Sequence, residues 1–327
     1  MIPFSPALLI LQPQHEKNMI IHEEYENLKL VDPFVTIGVF DGVHLGHRAL
    51  LDHLASSAGK AGGKSVVVTF NPHPRLVLSE KTEGISFLST LDEKKRLLAK
   101  SMIDLLIILN FTRELSNLEA VDFIREVLVK RIGVKHLIVG YDNHFGKSKG
   151  GDFNIIRKCA DLFGFEAEQF GGVSSPEGII SSTAIRDALL KGNLEDANRW
   201  LGYNYSLTGT VIQGRKLGRS FGFPTANIKP ADIYKLIPAD GVYAVEVLFD
   251  NKQLPGMLSI GFNPTVNKDK NRRSIESHIF NFDLDLYDKE ITVILRFRLR
   301  DEIKFENITL LAEQMKLDKL TAMRLLA

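Results

Sequence analysis

The sequence predicts an α/β doubly wound parallel-sheet domain followed by a small antiparallel β domain with a C-terminal helix. Three observations carry this. Short β-branched runs alternate with helix-period stretches as far as Trp200. From Ser206 the pattern changes to short alternating runs separated by turn residues, the mark of an antiparallel barrel or sandwich. A chain of 327 residues is long for one core. The change of pattern sets the expected domains at 19–203 and 204–327.

Met19-Ile20-Ile21 begins a first strand. The segment before it is apolar over Pro6–Leu11, with no basic residue ahead and no small-residue cleavage site; either Met19 is the natural start or the preceding segment is a loose extension. Phe34–Ile37 is a buried strand. Arg48–Ala58 is a helix with Leu50, Leu51, Leu54 and Ala58 on one face and Gly59 as its stop. Ser65–Phe70 is the next strand, ended by Asn71-Pro72-His73-Pro74. Thr90-x-x-Glu93 and Ser116-x-x-Glu119 read as capping boxes for helices through Ala99 and Arg131. Ile103–Leu109 and Lys135–Val139 are further strands. Cys159 shares a helical face with Ile156, Ala160 and Phe163. A helix opens near Ile180, with Ser182 or Thr183 as its cap, and ends at Gly192; Asn193 caps the next. In the second domain the strands are 206–212, 241–249, 256–260, 274–282 and 291–299. The last helix, about 308–326, has Leu311, Met315 and Leu320 available to pack.

Composition narrows the function. Hydrophobic content of 44% and charged content of 25% are those of a globular protein. A net charge of +1 gives no argument for nucleic acid or an anionic membrane. No apolar run reaches the ~20 residues that span a bilayer. The single cysteine excludes an internal disulfide and a multi-cysteine metal site, and fits a reducing cytoplasm.

The richest stretch is Gly38-Val39-Phe40-Asp41-Gly42-Val43-His44-Leu45-Gly46-His47, a glycine turn from a strand into a helix start. Free N–H groups and the positive dipole end there favour a phosphate, and two histidines add donors for developing charge. Two further polar stretches, 71–75 and 140–151, fall at carboxyl ends of strands, where open α/β sheets bind ligands. Ser182, Thr183 and Arg186 offer hydroxyls and a cation at another helix start. There is neither a Walker sequence nor a G-x-G-x-x-G fingerprint, and no nucleophile with a triad partner. Nucleotidyl transfer fits, since it needs positioning and charge neutralisation more than a covalent nucleophile.

In the second domain, Gly214 to Asn227 holds three glycines and three cations, an arch able to wrap a polyphosphate. Thr225 and Asn227 offer neutral oxygens suited to Mg²⁺ already ligated by phosphates. Glu276 alternates with His278, Phe280 and Phe282 on one strand face; it could be a general base or a solvated edge residue.

In this order, GVFDGVHLGH, TFNPHPR, VGYDNHFGKSKGG and ISSTAIR resemble the FMN adenylyltransferase half of bacterial bifunctional riboflavin kinase/FAD synthetases, nucleotidyltransferases with an H-x-G-H signature. GRKLGRSFGFPTAN, DGVYAV, SIGFNPTV, IESHIF and LYDKEI resemble the riboflavin kinase half, a small antiparallel β-barrel. The likeness covers roughly residues 20–327. It implies that His44 and His47 stabilise the ATP phosphates in the transition state. It implies flavin and nucleotide contacts at Gly38, Phe40, Asp41, Gly46, Asn71, Asp142, Phe145 and Gly146, and phosphate contacts at Ser182, Thr183 and Arg186. In the kinase half it implies ATP at Gly214, Gly218, Gly222, Pro224, Thr225 and Asn227. There Thr225 and Asn227 hold Mg²⁺, and Glu276 deprotonates the ribityl hydroxyl. One of Arg296, Arg298 and Arg300 could face that site. Where many relatives have an aromatic or histidine and then arginine before Phe-Gly, this chain has Asn143-His144. The implied substrates are riboflavin, FMN and ATP, with FAD as product and no nucleic-acid or membrane partner. The alternatives are an adenylyltransferase carrying a nucleic-acid or peptide binding barrel, or a chain with one activity only.

Overall fold

The computed structural model describes residues 18–23, 28, 30–141, 152–176, 178–214, 223–262, 273–282 and 285–327. The chain gathers into two compact units. The first takes in Met1–Phe40, His47–Thr82 and Leu91–Gly172; the second takes in Asp41–Gly46, Glu83–Thr90 and Val173–Ala327.

The first unit is built on a six-stranded sheet of β1 (Ile20–His22), β2 (Pro33–Ile37), β3 (Lys64–Asn71), β4 (Leu105–Asn110), β5 (His136–Gly140) and β6 (Glu166–Phe170). Their order is β1-β4-β3-β2-β5-β6, and every pairing is parallel. The central strands are buried along nearly their whole length, which is why they read as continuous apolar runs. The chain passes from β2 outward through β3 to β4, then returns to lay β5 on the other side of β2. Open α/β sheets bind ligands at such a reversal, here the carboxyl ends of β2 and β5.

The helices here are α1 (Leu45–Ala61), α2 (Pro74–Leu78), α3 (Leu91–Ala99), α4 (Arg113–Ser116), α5 (Ala120–Phe123, continued by a π-type stretch Ile124–Ile132) and α6 (Phe153–Phe163). Helix α1 buries Leu50, Leu51, Leu54 and Ala58 as the spacing predicts. It runs through Gly59, however, and the left-handed residue that follows its end is Gly62, at φ 72°. The expected capping box at Ser116 is also corrected. Thr112 caps α4 by accepting from the Leu115 N–H (3.2 Å), Ser116 ends that helix, and Glu119 precedes α5 without a side-chain cap. On α6, Ile156, Cys159 and Ala160 are buried.

The second unit contains a two-stranded ribbon, β7 (Ser174–Ser175) with β8 (Gly178–Ile179), and helices α7 (Ser182–Lys191) and α8 (Leu194–Leu201). Its main body is a closed barrel of β9 (Ser206–Ile212), β10 (Ala226–Pro230), β11 (Gly241–Phe249), β12 (Lys252–Gly261), β13 (Ser274–Ile279) and β14 (Glu290–Arg300). The order is β10-β13-β12-β11-β14-β9, antiparallel throughout, with β9 closing on β10. Strand β10 is not among the strands the sequence predicts; only its first two residues, Ala226 and Asn227, belong to the arch read over Gly214 to Asn227. The buried core joins Leu189, Leu194 and Leu201 of α7 and α8 to Leu207, Tyr243 and Leu295 of the barrel, with Trp200 packed partly buried against it.

Helix α9 (Ile308–Leu326) lies on a separate apolar cluster, where Ala322 is buried among Phe223, Ala244, Met257 and Phe280. Met315 and Leu326 pack there too, but Leu320 is 66% exposed, so the packing face differs from the expected one. Arg300 fastens this helix by forking onto Asp318, with Nη2–Oδ2 at 2.8 Å.

Candidate active sites

In the first unit, the Gly38 N–H extends the pairing of β2 by donating to the Val68 carbonyl (3.0 Å), and Thr69 Oγ1 donates to the Val39 carbonyl (3.2 Å). The turn therefore starts from a fixed base. Phe40 is buried at a positive φ of 51° and meets the His47 ring edge-on, with centroids 5.2 Å apart. Asn71 ends the neighbouring strand β3 in an exposed position. His73 is a helix cap: its Nδ1 accepts from the Arg75 N–H at 3.1 Å.

In the second unit, Asp41 is the hub, its residue only 4% exposed. Its carboxylate accepts from the Leu88 N–H (2.9 and 3.1 Å), the Ser89 N–H (3.1 Å) and Arg186 Nη1 (2.8 Å). Ser182 Oγ donates to the Asp41 carbonyl (2.9 Å), and Arg186 Nη2 donates to Thr183 Oγ1 (3.2 Å). The α7 cap is neither of the two expected hydroxyls. It is Ser181, in extended conformation, whose Oγ accepts from the Ala184 N–H at 3.2 Å. That leaves Ser182 to bind the loop and Thr183 to orient the guanidinium.

Gly42 stands at φ 77°, held by the Ser89 hydroxyl on its N–H (3.0 Å) and the Tyr203 hydroxyl on its carbonyl (2.6 Å). A Cβ at Gly46 would come within 3.2 Å of two atoms of the His44 ring, so the missing side chain is what lets that ring lie close. His44 is 5% exposed, and its pKa is lowered to about 4 by burial and, secondarily, by the Arg186 charge. It is thus neutral at pH 7, beside an Arg186 guanidinium that is paired with Asp41.

In the barrel, Pro224 and Thr225 lead into β10, where Asn227 is paired in register with Glu276 of β13. Thr225 Oγ1 donates to Glu276 Oε2 at 3.3 Å. His278 lies two residues on from Glu276, on the same strand face. Its Nδ1–H donates to the Pro224 carbonyl at 2.8 Å, fixing the turn just before Thr225. Burial lowers the His278 pKa, so it too is neutral. Gly214 lies tight against Asn227: a Cβ there would overlap the amide.

The three candidate arginines each hold a protein acceptor. Arg296 Nη1 reaches Glu246 (2.7 Å), Arg298 Nη2 reaches the Asp240 carbonyl (2.8 Å), and Arg300 holds Asp318. Asp142, Phe145, Gly146, Gly218 and Gly222 lie outside the described residues, as do Asn143 and His144. Sequence reasoning did not find Leu88, Ser89 or His278 as supports. Only the last had a signal, its alternation with Glu276.

Among the described residues no cluster of three histidines, cysteines or carboxylates could hold a metal ion. A hydroxyl, an amide and one carboxylate are gathered at Thr225, Asn227 and Glu276. This sparse, all-oxygen set suits a hard cation that arrives with phosphate and water ligands, as Mg²⁺ does.

A switch-point turn with two histidines in one part of the chain, and a closed barrel with a hydroxyl, amide and carboxylate together in another, define a two-module enzyme of phosphate chemistry. A family model described as FAD synthetase matches residues 28–184, and one described as riboflavin kinase matches residues 201–326. Bifunctional riboflavin kinase/FMN adenylyltransferases of Listeria monocytogenes and Escherichia coli strain K12 are 38% and 40% identical to this chain. Each match runs over 289 residues, 88% of this chain and 91% of the relative. A crystal structure named as a macrolide-efflux protein from Streptococcus pneumoniae is 30% identical with a TM-score of 0.83, covering 93% of this chain and 98% of that one. That name describes that protein; what carries across is the fold. No helix among the described residues is long and apolar enough to cross a membrane. The chain belongs to the bifunctional riboflavin kinase/FMN adenylyltransferase family.

Proposed function

We propose that this chain makes FAD from riboflavin in two steps, each in its own module, with residues 204–327 as the kinase and 19–203 as the adenylyltransferase. The observation that carries the reading is the 38–40% identity to bifunctional enzymes, which spans both candidate sites in one chain.

In the kinase step Glu276 takes the proton of the ribityl hydroxyl, whose oxygen attacks the γ-phosphorus of ATP; the bond to the β-phosphate oxygen breaks and ADP leaves. Thr225 and Asn227 would hold Mg²⁺, which when bound neutralises polyphosphate charge. The hydrogen bond from Thr225 keeps Glu276 aimed, and His278 keeps Thr225 in place. In the second step an oxygen of the FMN phosphate attacks the α-phosphorus of ATP, and pyrophosphate leaves. Neutral His44 donates an N–H to a phosphate oxygen, His47 does the same, and Arg186 supplies a fixed charge for the transition state. Riboflavin, FMN and ATP suffice as partners. A cytoplasmic setting fits a chain whose one cysteine is free and buried.

Incubation with riboflavin and Mg-ATP, with the flavins separated by chromatography, should yield FMN and then FAD. Glu276→Gln should abolish FMN formation and spare conversion of supplied FMN to FAD; His47→Asn should do the reverse. Loss of both activities from either change in a folded protein would overturn the assignment of steps to modules.

A further inference from the structure

The second unit contains a buried cation that neither candidate site uses. Lys235 is 6% exposed; its ammonium donates to the Leu88 carbonyl at 2.7 Å and stands 4.3 Å above the Tyr205 ring. The backbone joins the same two segments. The Phe87 N–H donates to the Tyr234 carbonyl and the Leu236 N–H to the Phe87 carbonyl, both at 2.8 Å. So Leu88, 1% exposed, has its carbonyl gripped by Lys235 while its N–H grips the Asp41 carboxylate. Asp41 in turn holds Arg186, and Ser89 holds the Gly42 N–H.

We propose that Lys235 is a positioning residue for adenylyl transfer. Through the 87–89 segment it fixes where Asp41 stands, and with it the Asp41–Gly46 loop and the Arg186 guanidinium. This rests on the reading of that loop as part of the adenylyl-transfer centre. Removing an ammonium that is bonded at its tip leaves a buried carbonyl unpaired, at a larger cost than the bond itself is worth. The 87–89 segment then relaxes, and Asp41 and Arg186 move with it. Charge stabilisation of a transferring phosphoryl group is sensitive to such shifts, since a displacement near 1 Å can cost about a hundred-fold. The contacts that aim Glu276 run instead between the start of β10 and β13.

The test uses the full chain as wild type, Lys235→Met and Ser89→Ala. Methionine keeps the stem's packing and removes the donor. Riboflavin phosphorylation and adenylylation of supplied FMN are measured separately, together with Tm. For Lys235→Met, kcat of adenylylation should fall about ten- to hundred-fold with KM for ATP within about two-fold. Its riboflavin phosphorylation should stay within about two-fold of wild type. Ser89→Ala removes the hydroxyl that holds the Gly42 N–H and reaches Asp41 Oδ1 at 3.4 Å, and should give a smaller loss of adenylylation kcat alone. Unchanged adenylylation in Lys235→Met, or a parallel fall of both activities, would overturn the proposal. Where Lys235→Met does not fold, Ser89→Ala decides: an unchanged adenylylation kcat overturns it. A wild type that forms FMN but no FAD would sink the underlying reading of the loop, and this inference with it.

Discussion

At the scale of single residues, His44 links the loop to acid sensitivity. Its folded pKa of about 4 lies below the ordinary 6.5. Between those values the unfolded chain takes up a proton that the folded chain refuses, so stability falls as pH drops from 6.5 towards 4 and is flat above it. The shift corresponds to roughly 3 kcal/mol in full. His278, lowered by burial, acts in the same direction. His44→Asn should therefore flatten the dependence of Tm on pH over that window, as followed by circular dichroism; an unchanged slope would refute the assignment. The two histidines and Arg186 could be picked from the sequence because they crowd into short motifs. Their supports could not. Leu88 and Ser89 meet Asp41 across 47 and 48 residues, and Lys235 meets Leu88 across 147. Neither contact leaves a local period or composition to read.

At the scale of elements, α9 stands where expected but packs on a different face, whereas α1 and most barrel strands follow from apolar spacing, because half-buried faces impose their own period. Strand β10 does not. Ala226–Pro230 has one buried residue, ends in proline and lacks β-branched side chains apart from Ile228. It is a strand because closing the barrel gives it partners on both sides, β9 and β13. Its entry is tight, and Gly214→Ala should push the Asn227 amide out of line. The expected result is a loss of about ten-fold or more in riboflavin phosphorylation with FMN adenylylation untouched; equal rates in both would remove Asn227 from the kinase site. On α7, Ser181→Ala should cost about 1 kcal/mol in urea unfolding, the worth of a helix cap.

At the scale of the whole molecule, two domains were readable from the change of pattern after Trp200. The compact units are more interleaved than the expected division at 203/204, because the second also takes in Asp41–Gly46, Glu83–Thr90 and Val173–Tyr203. Helices α7 and α8 bury Leu189, Leu194, Ala197 and Leu201 in the same core as the barrel. At about 1.5–3 kcal/mol for each large apolar side chain, that core is a substantial part of the barrel's stability. A fragment starting at Val173 should therefore melt well above one starting at Asn204; equal Tm values would contradict this.

The bond from Lys235 to Leu88 also gives the molecule an order in time. A ribosome adding about 5–20 residues per second needs about seven to thirty seconds to travel from Leu88 to Lys235. The loop that carries His44 is translated well before its final fastening, which emerges only with the barrel. A nascent or prematurely terminated chain therefore has the histidine loop without its clamp. When Lys235 is translated, only about a quarter of residues 204–327 has been made, so the loop is secured while most of the barrel is still to come.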